Sequence, residues 1–116
     1  MVAWLRRTVD KPCGLPHDGI LVATVIYGDF EWDEEKALSN REKHGVTFEE
    51  AVTALIDPDA LFVSESTRGE DRFVAIGISE RARVLFVVHV ERGRRDRIVS
   101  ARLATKAEEK LYAQEH

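Results

Sequence analysis

Several features are scarce or absent in this chain of 116 residues, and each absence narrows its class. A single cysteine, Cys13, excludes an internal disulfide and a cysteine-based zinc site, and it fits a reducing compartment. No apolar run reaches membrane-spanning length. The run ILVATVIY at 20–27 follows Asp10, His17 and Asp18 and precedes no small-residue cleavage site, so it does not read as a signal peptide. We expect a cytoplasmic protein without membrane contact.

The sequence also lacks the strong catalytic motifs. It has no glycine-rich phosphate loop, no H-E-x-x-H pair, no G-x-S-x-G elbow and no aspartate-rich metal loop. Its acidic pairs, Glu34 with Glu35 and Glu49 with Glu50, fall in the first turns of predicted helices, where the helix dipole favours anions. We therefore expect no cofactor and no metal, and we expect any phosphate chemistry to proceed without a metal.

The residues that are present have the composition of one globular domain, with 44% hydrophobic and 33% charged side chains and a net charge of −4. The charge is unevenly distributed. Residues 29–70 hold twelve acidic and four basic side chains, whereas residues 81–102 hold seven arginines against Glu91 and Asp96. The arginine-rich segment fits an anionic ligand, and the alternative is a pair of solvated edges with no ligand.

The first 28 residues differ from the rest of the chain. They contain two of the three prolines and the only cysteine, and DKPCGLPHDG is typical of a loop. We treat residues 1–28 as an N-terminal extension and residues 29–116 as the domain. The composition of residues 20–27 also fits an edge strand. The competing hypothesis is a non-native start, since bacterial genes often begin at GTG and Val25 would then be the natural first residue.

The remaining sequence predicts an α+β domain with the element order α-α-β-β-β-β-α. Asp33 and Gly45 are the expected N-cap and C-terminal glycine of one helix, and Thr47 with Glu50 opens a second helix as a capping box. Another capping box at 105–108 opens a final helix. We expect two N-terminal helices, a four-stranded antiparallel sheet and a C-terminal helix. Period-two segments predict the four strands at 61–65, 72–79, 83–91 and 96–103.

Strand alternation assigns the candidate arginines to faces of this sheet. Arg72 shares a face with Val74 and Ile76. In the last strand, strict alternation places Arg97 and Arg102 on opposite faces unless a bulge intervenes. An arginine at the end of an apolar face is often a rim residue that covers the core. Three of them near strand ends also suit phosphate, which a guanidinium group binds through a planar fork of donors.

The adjacent cations Lys43 and His44 admit two interpretations. Both end a predicted helix, where the dipole favours cations, so capping alone would explain them. Histidine titrates near neutral pH, so His44 is also a candidate proton donor or acceptor. His89 lies in the most apolar strand and is expected to be a core residue with a satisfied ring. Tyr112 is expected to pack in the core with its hydroxyl at the rim.

Several stretches after residue 28 form one pattern in this order and spacing: FEWDEEK at 30–36, N-x-x-KHGVTFEEA at 40–51, EDRFVAIG at 70–77 and RIVSAR-x-AT at 97–105, with Glu109 and Tyr112. By these residues the chain from residue 30 to residue 112 resembles the BrnT family of bacterial toxins. The resemblance implies a RelE-like fold and a type II toxin that cleaves RNA and inhibits translation. It also implies a partner, a BrnA-like ribbon-helix-helix antitoxin, and contact with operator DNA only through that antitoxin.

The resemblance suggests a role for each candidate residue. The 2′-hydroxyl of RNA would attack the adjacent phosphorus, with Arg72 and Arg102 on the reacting phosphate and His44 transferring a proton. Contacts to the rest of the RNA would come from Lys43, Arg97 and Tyr112. The tyrosine would stack on a base or position an arginine. The alternatives are a non-catalytic module that binds nucleic acid or antitoxin, and a degenerate toxin.

Overall fold

A computed structural model describes residues 23–67 and 70–114, which form one six-stranded mixed sheet and three helices. The strand order across the sheet is β1-β2-β6-β5-β4-β3, and every neighbouring pair is antiparallel except β2 with β6. None of the described helices is long and apolar enough to cross a membrane. In chain order the elements are β1 (Thr24–Tyr27), β2 (Phe30–Asp33), α1 (Glu34–His44), α2 (Phe48–Leu55), β3 (Leu61–Thr67), β4 (Glu70–Ile78), β5 (Val84–Arg92), β6 (Arg95–Leu103) and α3 (Lys106–Gln114).

The predicted α+β class is confirmed, but the predicted element order and the four-stranded antiparallel sheet are wrong. A β1–β2 hairpin precedes the helices and adds two strands. Strand β2 pairs in parallel with β6, with Phe30 opposite Asp96 and Glu31 opposite Arg97. Sequence periodicity misses a four-residue strand whose partner lies 66 residues away, because so short a segment shows no clear period of two.

An edge strand was considered for residues 20–27, and their described part contains β1 (Thr24–Tyr27) at one edge of the sheet. Its Val25 is buried opposite Trp32 in the core. A two-residue turn joins it to β2, and Gly28 occupies this turn with φ of 65°. Residues 1–22, with Cys13, lie outside the described residues, and the division of the chain at residue 28 stays a prediction.

Local sequence explains where α1 begins and ends and where α3 begins. The Asp33 carboxylate accepts a hydrogen bond from the Glu35 N–H at 3.0 Å, and Gly45 ends α1 with φ of 69°. The capping box predicted for the last helix forms in both directions. Thr105 Oγ1 accepts from the Glu108 N–H, and the Glu108 carboxylate accepts from the Thr105 N–H. These predictions are confirmed.

Glu50 departs from the predicted capping box and forms a buried ion pair. Its N–H donates to Thr47 Oγ1 as predicted, but its carboxylate is turned inward and accepts hydrogen bonds from Ser79 and Arg83. Arg83 also donates to the carbonyl of Gly45. Burial opposes ionisation of Glu50, but the hydrogen bonds from Arg83 and Ser79 outweigh it and lower the pKa. The pair therefore fastens the corner between α1 and α2 to the β4–β5 hairpin.

The core lies between α2 and the sheet, where α2 packs against β4, β5 and β6. Trp32 from β2 meets the ring of Phe48 edge to face, with ring centroids 5.8 Å apart. Gly77 allows a close approach, since a Cβ there would clash with the carbonyl oxygen of Ala54. The apolar side of α2 has the predicted helical spacing and consists of Phe48, Ala51, Val52 and Leu55.

Helix α1 joins the sheet at the outer side of β6, beyond the short pairing of β6 with β2. The connection is the side chain of Asn40, which is 6% exposed. Its amide nitrogen donates to the Ala101 carbonyl at 2.8 Å, and its amide oxygen accepts from the Ala101 N–H at 3.1 Å. The nitrogen also donates to the Val46 carbonyl at 3.0 Å. Asn40 thereby satisfies β6 as a neighbouring strand would.

We predict that Asn40→Ala lowers the free energy of unfolding by about 2–4 kcal/mol, because buried backbone groups of Ala101 and Val46 lose their partner. The exposed neighbour gives a matched control, and Ser39→Ala should change the free energy by less than about 0.5 kcal/mol. Urea unfolding measures both variants. A loss no larger for Asn40→Ala than for Ser39→Ala would show that the amide does not hold α1 to the sheet.

His89 is buried as expected, but its ring is not satisfied. It is 5% exposed and contacts the rings of Phe73 and Phe62. Neither ring nitrogen has a hydrogen-bond partner among the described residues, and the Asp96 carboxylate stands 3.9 Å from Nδ1. Burial lowers the pKa of His89, and the charges of Asp96 and Glu91 oppose this shift in part. The folded protein therefore favours the neutral ring.

We predict that acidification below pH 6.5 lowers the free energy of unfolding, because the unfolded chain then binds a proton at His89 that the folded chain does not. The decline from this group ends at the lowered pKa of the folded state, below which both states are protonated. Urea unfolding between pH 5 and pH 8 measures the decline. His89→Phe should flatten it, and a wild-type slope in His89→Phe would refute the assignment.

Candidate functional site

A β-bulge in β6 decides where the candidate arginines lie. In the register between β5 and β6, Val88 pairs with Ser100 and His89 pairs with Ile98. Val99 is therefore an extra residue on β6, opposite no residue of β5. Alternation along β6 restarts at this point, so residues on either side of the bulge do not follow strict even and odd numbering.

The bulge places the three predicted arginines on one face of the sheet. Arg72 and Arg97 pair with Val90 from opposite sides, and Arg102 pairs with Phe86 on the same strand. Residues 86 and 90 are four apart in β5, so their side chains and those of their partners share a face. The exception made for a bulge therefore applies, and Arg97 and Arg102 share a face. We call the surface formed by residues 72, 97 and 102 the arginine face.

The spacing on the arginine face follows from sheet geometry. Arg72 and Arg97 are two strands apart, which corresponds to about 10 Å between Cα atoms. Arg97 and Arg102 are separated by four positions of β5, which corresponds to about 14 Å. Ser100 lies between Arg97 and Arg102 and, through its pairing with Val88, shares their face. The face therefore presents an array of cations rather than one compact cluster.

Two of the three arginines are bound by carboxylates of the same chain. Arg97 Nη1 donates to Glu31 on the neighbouring β2 at 2.8 Å. Arg102 donates through both terminal nitrogens to Glu108 of α3, at 2.9 and 3.1 Å, and its guanidinium carbon lies 4.0 Å from the ring centroid of Phe86. The hydrogen bond from Arg102 is the main cause of a lowered pKa for Glu108. These contacts hold the guanidinium groups in defined positions.

A cleft of about 200 Å³ lies where α1 meets β6, and we call it the α1–β6 cleft. It brings together two predicted site residues, Lys43 and His44. Ser100 belongs both to the cleft and to the arginine face, so the two surfaces adjoin. The lining residues are Lys36, Ser39, Asn40, Lys43 and His44 from α1, with Val99 and Ser100 from β6.

Sequence reasoning missed Lys36, although a signal for it was available. Lys36 precedes Lys43 by seven positions and His44 by eight, which is the spacing of residues on one side of a helix. All three are exposed and make no ion pair with any side chain that the structure describes. Among the same described side chains, Arg72 likewise has no ion-pair partner. The cleft is therefore cationic and not neutralised by the described part of the chain.

Tyr112 lies on α3 and is half-buried. The sequence had predicted a core residue instead. Its hydroxyl donates to the Asp57 carboxylate at 2.6 Å. Burial, with the contact to Asp57, raises the pKa of Tyr112 to about 12. Tyr112 and Glu108 are four residues apart and so lie on the same side of α3. The tyrosine therefore attaches α3 to Asp57, and α3 in turn carries Glu108, the partner of Arg102.

Fold and charge together define a class of protein, a small α+β domain whose cations line a cleft and an adjoining sheet face suited to an anionic ligand. Within the described ranges, no three His, Cys, Asp or Glu side chains are grouped so as to hold a metal ion. The model of the family described as ribonuclease toxin BrnT, of type II toxin–antitoxin systems, matches residues 32–108. This is more than half of the chain, and the chain belongs to the BrnT family.

Comparison with solved structures gives a further similarity. The 1.1 Å crystal structure of the Brucella abortus ribonuclease toxin BrnT is 26% identical to this chain, with a TM-score of 0.46. The match covers 65% of this chain and 94% of the Brucella chain. No curated protein matches the sequence. The family resemblance predicted from the sequence motifs is confirmed by the family match.

We predict that Glu108→Gln lowers the free energy of unfolding by about 1 kcal/mol at pH 7, because the carboxylate bound to Arg102 is lost. The exposed neighbour supplies the control, and Glu109→Gln should stay within about 0.5 kcal/mol of wild type. Because the folded pKa of Glu108 is lowered, its contribution is present above pH 4.5 and disappears as the pH falls through the folded pKa. Urea unfolding from pH 7 to pH 2 measures this. Equal stability of the two variants at pH 7 would contradict the assigned role.

Proposed function

We propose that this chain is the toxin of a type II toxin–antitoxin pair and cleaves RNA without a metal ion, so that translation in the cytoplasm is inhibited. Membership of the ribonuclease toxin family supplies the class of activity. One structural observation supports the choice of residues. The bulge at Val99 turns three arginines to one face, and this face adjoins the cleft that contains His44.

In the proposed reaction, the ribose 2′-oxygen attacks the adjacent phosphorus and the bond from phosphorus to the 5′-oxygen breaks. The products are a 2′,3′-cyclic phosphate and a 5′-hydroxyl. The attacking hydroxyl loses a proton and the leaving oxygen gains one, so a positioned acid–base group accelerates both steps. The phosphorus is five-coordinate in the transition state and its oxygens gain negative charge, which fixed cationic donors stabilise.

The proposed roles are those that the family resemblance suggests for these residues. Arg72 and Arg102 contact the reacting phosphate from the arginine face, and Arg97 contacts the backbone beside it. Lys43 contacts the backbone on the side of the cleft. His44, exposed in the same cleft, transfers the proton. The arrangement brings charge from the sheet and acid–base chemistry from the end of α1, which suits an RNA strand that crosses β6.

RNA binding in this proposal exchanges one anion for another. Glu31 and Glu108 occupy the donors of Arg97 and Arg102 in the free protein, and phosphate oxygens take their place when RNA binds. For Tyr112, the contact to Asp57 favours the positioning role over base stacking, because the hydroxyl fixes the helix that carries Glu108.

The proposed partner is a BrnA-like ribbon-helix-helix antitoxin, through which alone the toxin would meet operator DNA. The acidic side chains of residues 29–70 fit a basic surface of that partner by charge complementarity. The arginine face is then left to RNA. Co-expression with the adjacent gene should rescue growth if that gene encodes the antitoxin.

A second candidate is a non-catalytic module or degenerate toxin that binds nucleic acid or antitoxin. It is favoured by the state of Arg97 and Arg102, since carboxylates of the same chain already neutralise both. Binding without cleavage requires only that a polyanion compete for these groups. Harmless expression of the chain, together with intact RNA after incubation with the pure protein, would support this candidate.

We predict that Arg72→Ala and Arg102→Ala each slow RNA cleavage by about 10²–10³-fold, because each removes a fixed donor from the transition state. His44→Ala should slow it by about 10²–10⁴-fold through loss of acid–base assistance. Single-turnover cleavage of a labelled RNA measures these rates, with growth arrest on induction as the cellular readout.

The control is Arg81→Ala, an exposed arginine of the β4–β5 hairpin, which should cleave RNA at the wild-type rate. Wild-type rates for both Arg72→Ala and Arg102→Ala would eliminate the proposed site. Full activity of His44→Ala, with Arg72→Ala inactive, would leave the arginines in place and remove His44 from the mechanism.

A further inference from the structure

The side of α1 that lines the α1–β6 cleft is polar, although it faces the sheet. A helix beside a sheet normally turns apolar side chains toward it. Helix α1 instead buries only Asn40 among its described side chains, while Leu38 is 55% exposed. The helical neighbours of Asn40 that line the cleft are Lys36, Lys43 and His44, whereas Ala37, on the same side, packs against the core. This polar stripe lines the cleft rather than the core.

The cations of the cleft are not paired with described carboxylates, unlike Arg97 and Arg102. No acidic side chain is among its lining residues, and its cations have no carboxylate partner in the described ranges. Arg97 and Arg102, by contrast, must release Glu31 and Glu108 before they bind another anion. An anion therefore enters the cleft without displacing a charged group of the described chain.

The size and position of the cleft indicate which anion. The cleft, of about 200 Å³, has room for a phosphate group, and its cations suit that anion. Ser100, in the cleft wall, is two residues from Arg102, which is about 7 Å along a strand. An RNA strand held at Arg102 thus reaches the cleft with a neighbouring phosphate.

We propose that the α1–β6 cleft is a subsite for the RNA phosphodiester next to the reacting one, and that Lys36 is its principal contact beyond Lys43. This inference rests on the proposed function, because it places a second phosphate relative to the reacting phosphate. It adds a binding residue on the first turn of α1 to a site otherwise built from the last turn and the sheet.

The test measures binding of a 2′-O-methyl oligoribonucleotide, which lacks the attacking hydroxyl and stays intact. Wild type, Lys36→Ala and Arg41→Ala are compared by fluorescence anisotropy over a salt series. Arg41 is the matched control, since it is an exposed cation of the same helix outside the cleft. Lys36→Ala should weaken binding about fivefold at 0.1 M salt and reduce the slope of log K against log salt by about 0.7. Arg41→Ala should leave the slope unchanged, and Lys36→Arg should restore it.

The change in salt slope tests the subsite, and RNA cleavage by wild type tests the proposed function. An unchanged slope for Lys36→Ala, or an equal loss for Lys36→Ala and Arg41→Ala, overturns the subsite while RNA cleavage by wild type leaves the proposed function intact. The expected slope change, with no cleavage of natural RNA by wild type, supports the subsite and overturns the ribonuclease assignment. Absence of any oligonucleotide binding by wild type overturns the subsite as well. Thermal unfolding of each variant verifies that the fold is retained.

Discussion

The two hydrogen bonds between the Asn40 amide and the backbone of Ala101 determine the geometry of the candidate site. Strand β6 extends past β2, and its outer N–H and C=O groups need partners. The amide supplies both, and its third bond, to Val46, holds the start of the next helix. Because this contact fixes α1 against β6, the cations Lys43 and His44 stay beside the strand instead of moving with a free helix end.

Two kinds of cation meet at this junction, and their partners distinguish them. Arg97 and Arg102 are neutralised within the chain, and their guanidinium groups are oriented before any ligand arrives. The cations of the α1–β6 cleft have no such partner among the described residues. Preorganised donors favour a developing charge, whereas unpaired cations attract an anion at a distance. The proposed reaction uses both properties, one at the reacting phosphate and one along the strand.

Much of the fold was predictable because the relevant physics is local. Asp33, Gly45 and Thr105 define helix ends through bonds to residues close in sequence, and these predictions are confirmed. Glu50 matched the same local pattern but serves a distant partner, Arg83, which no local pattern reveals. The parallel pairing of β2 with β6 escaped prediction for the same reason, since it joins segments separated by most of the chain.

The sequence by itself determined the helix ends, the apolar strands, the abundance of arginine and the motifs that led to the BrnT family. Only the tertiary structure decided which of these side chains meet. A single extra residue, Val99, reverses the alternation that sequence reasoning assumes and turns Arg97 and Arg102 to one face. Likewise, Lys36 became part of a cleft only when Asn40 fixed α1 to the sheet. Charge and propensity are properties of residues, whereas a site depends on register and packing between distant segments.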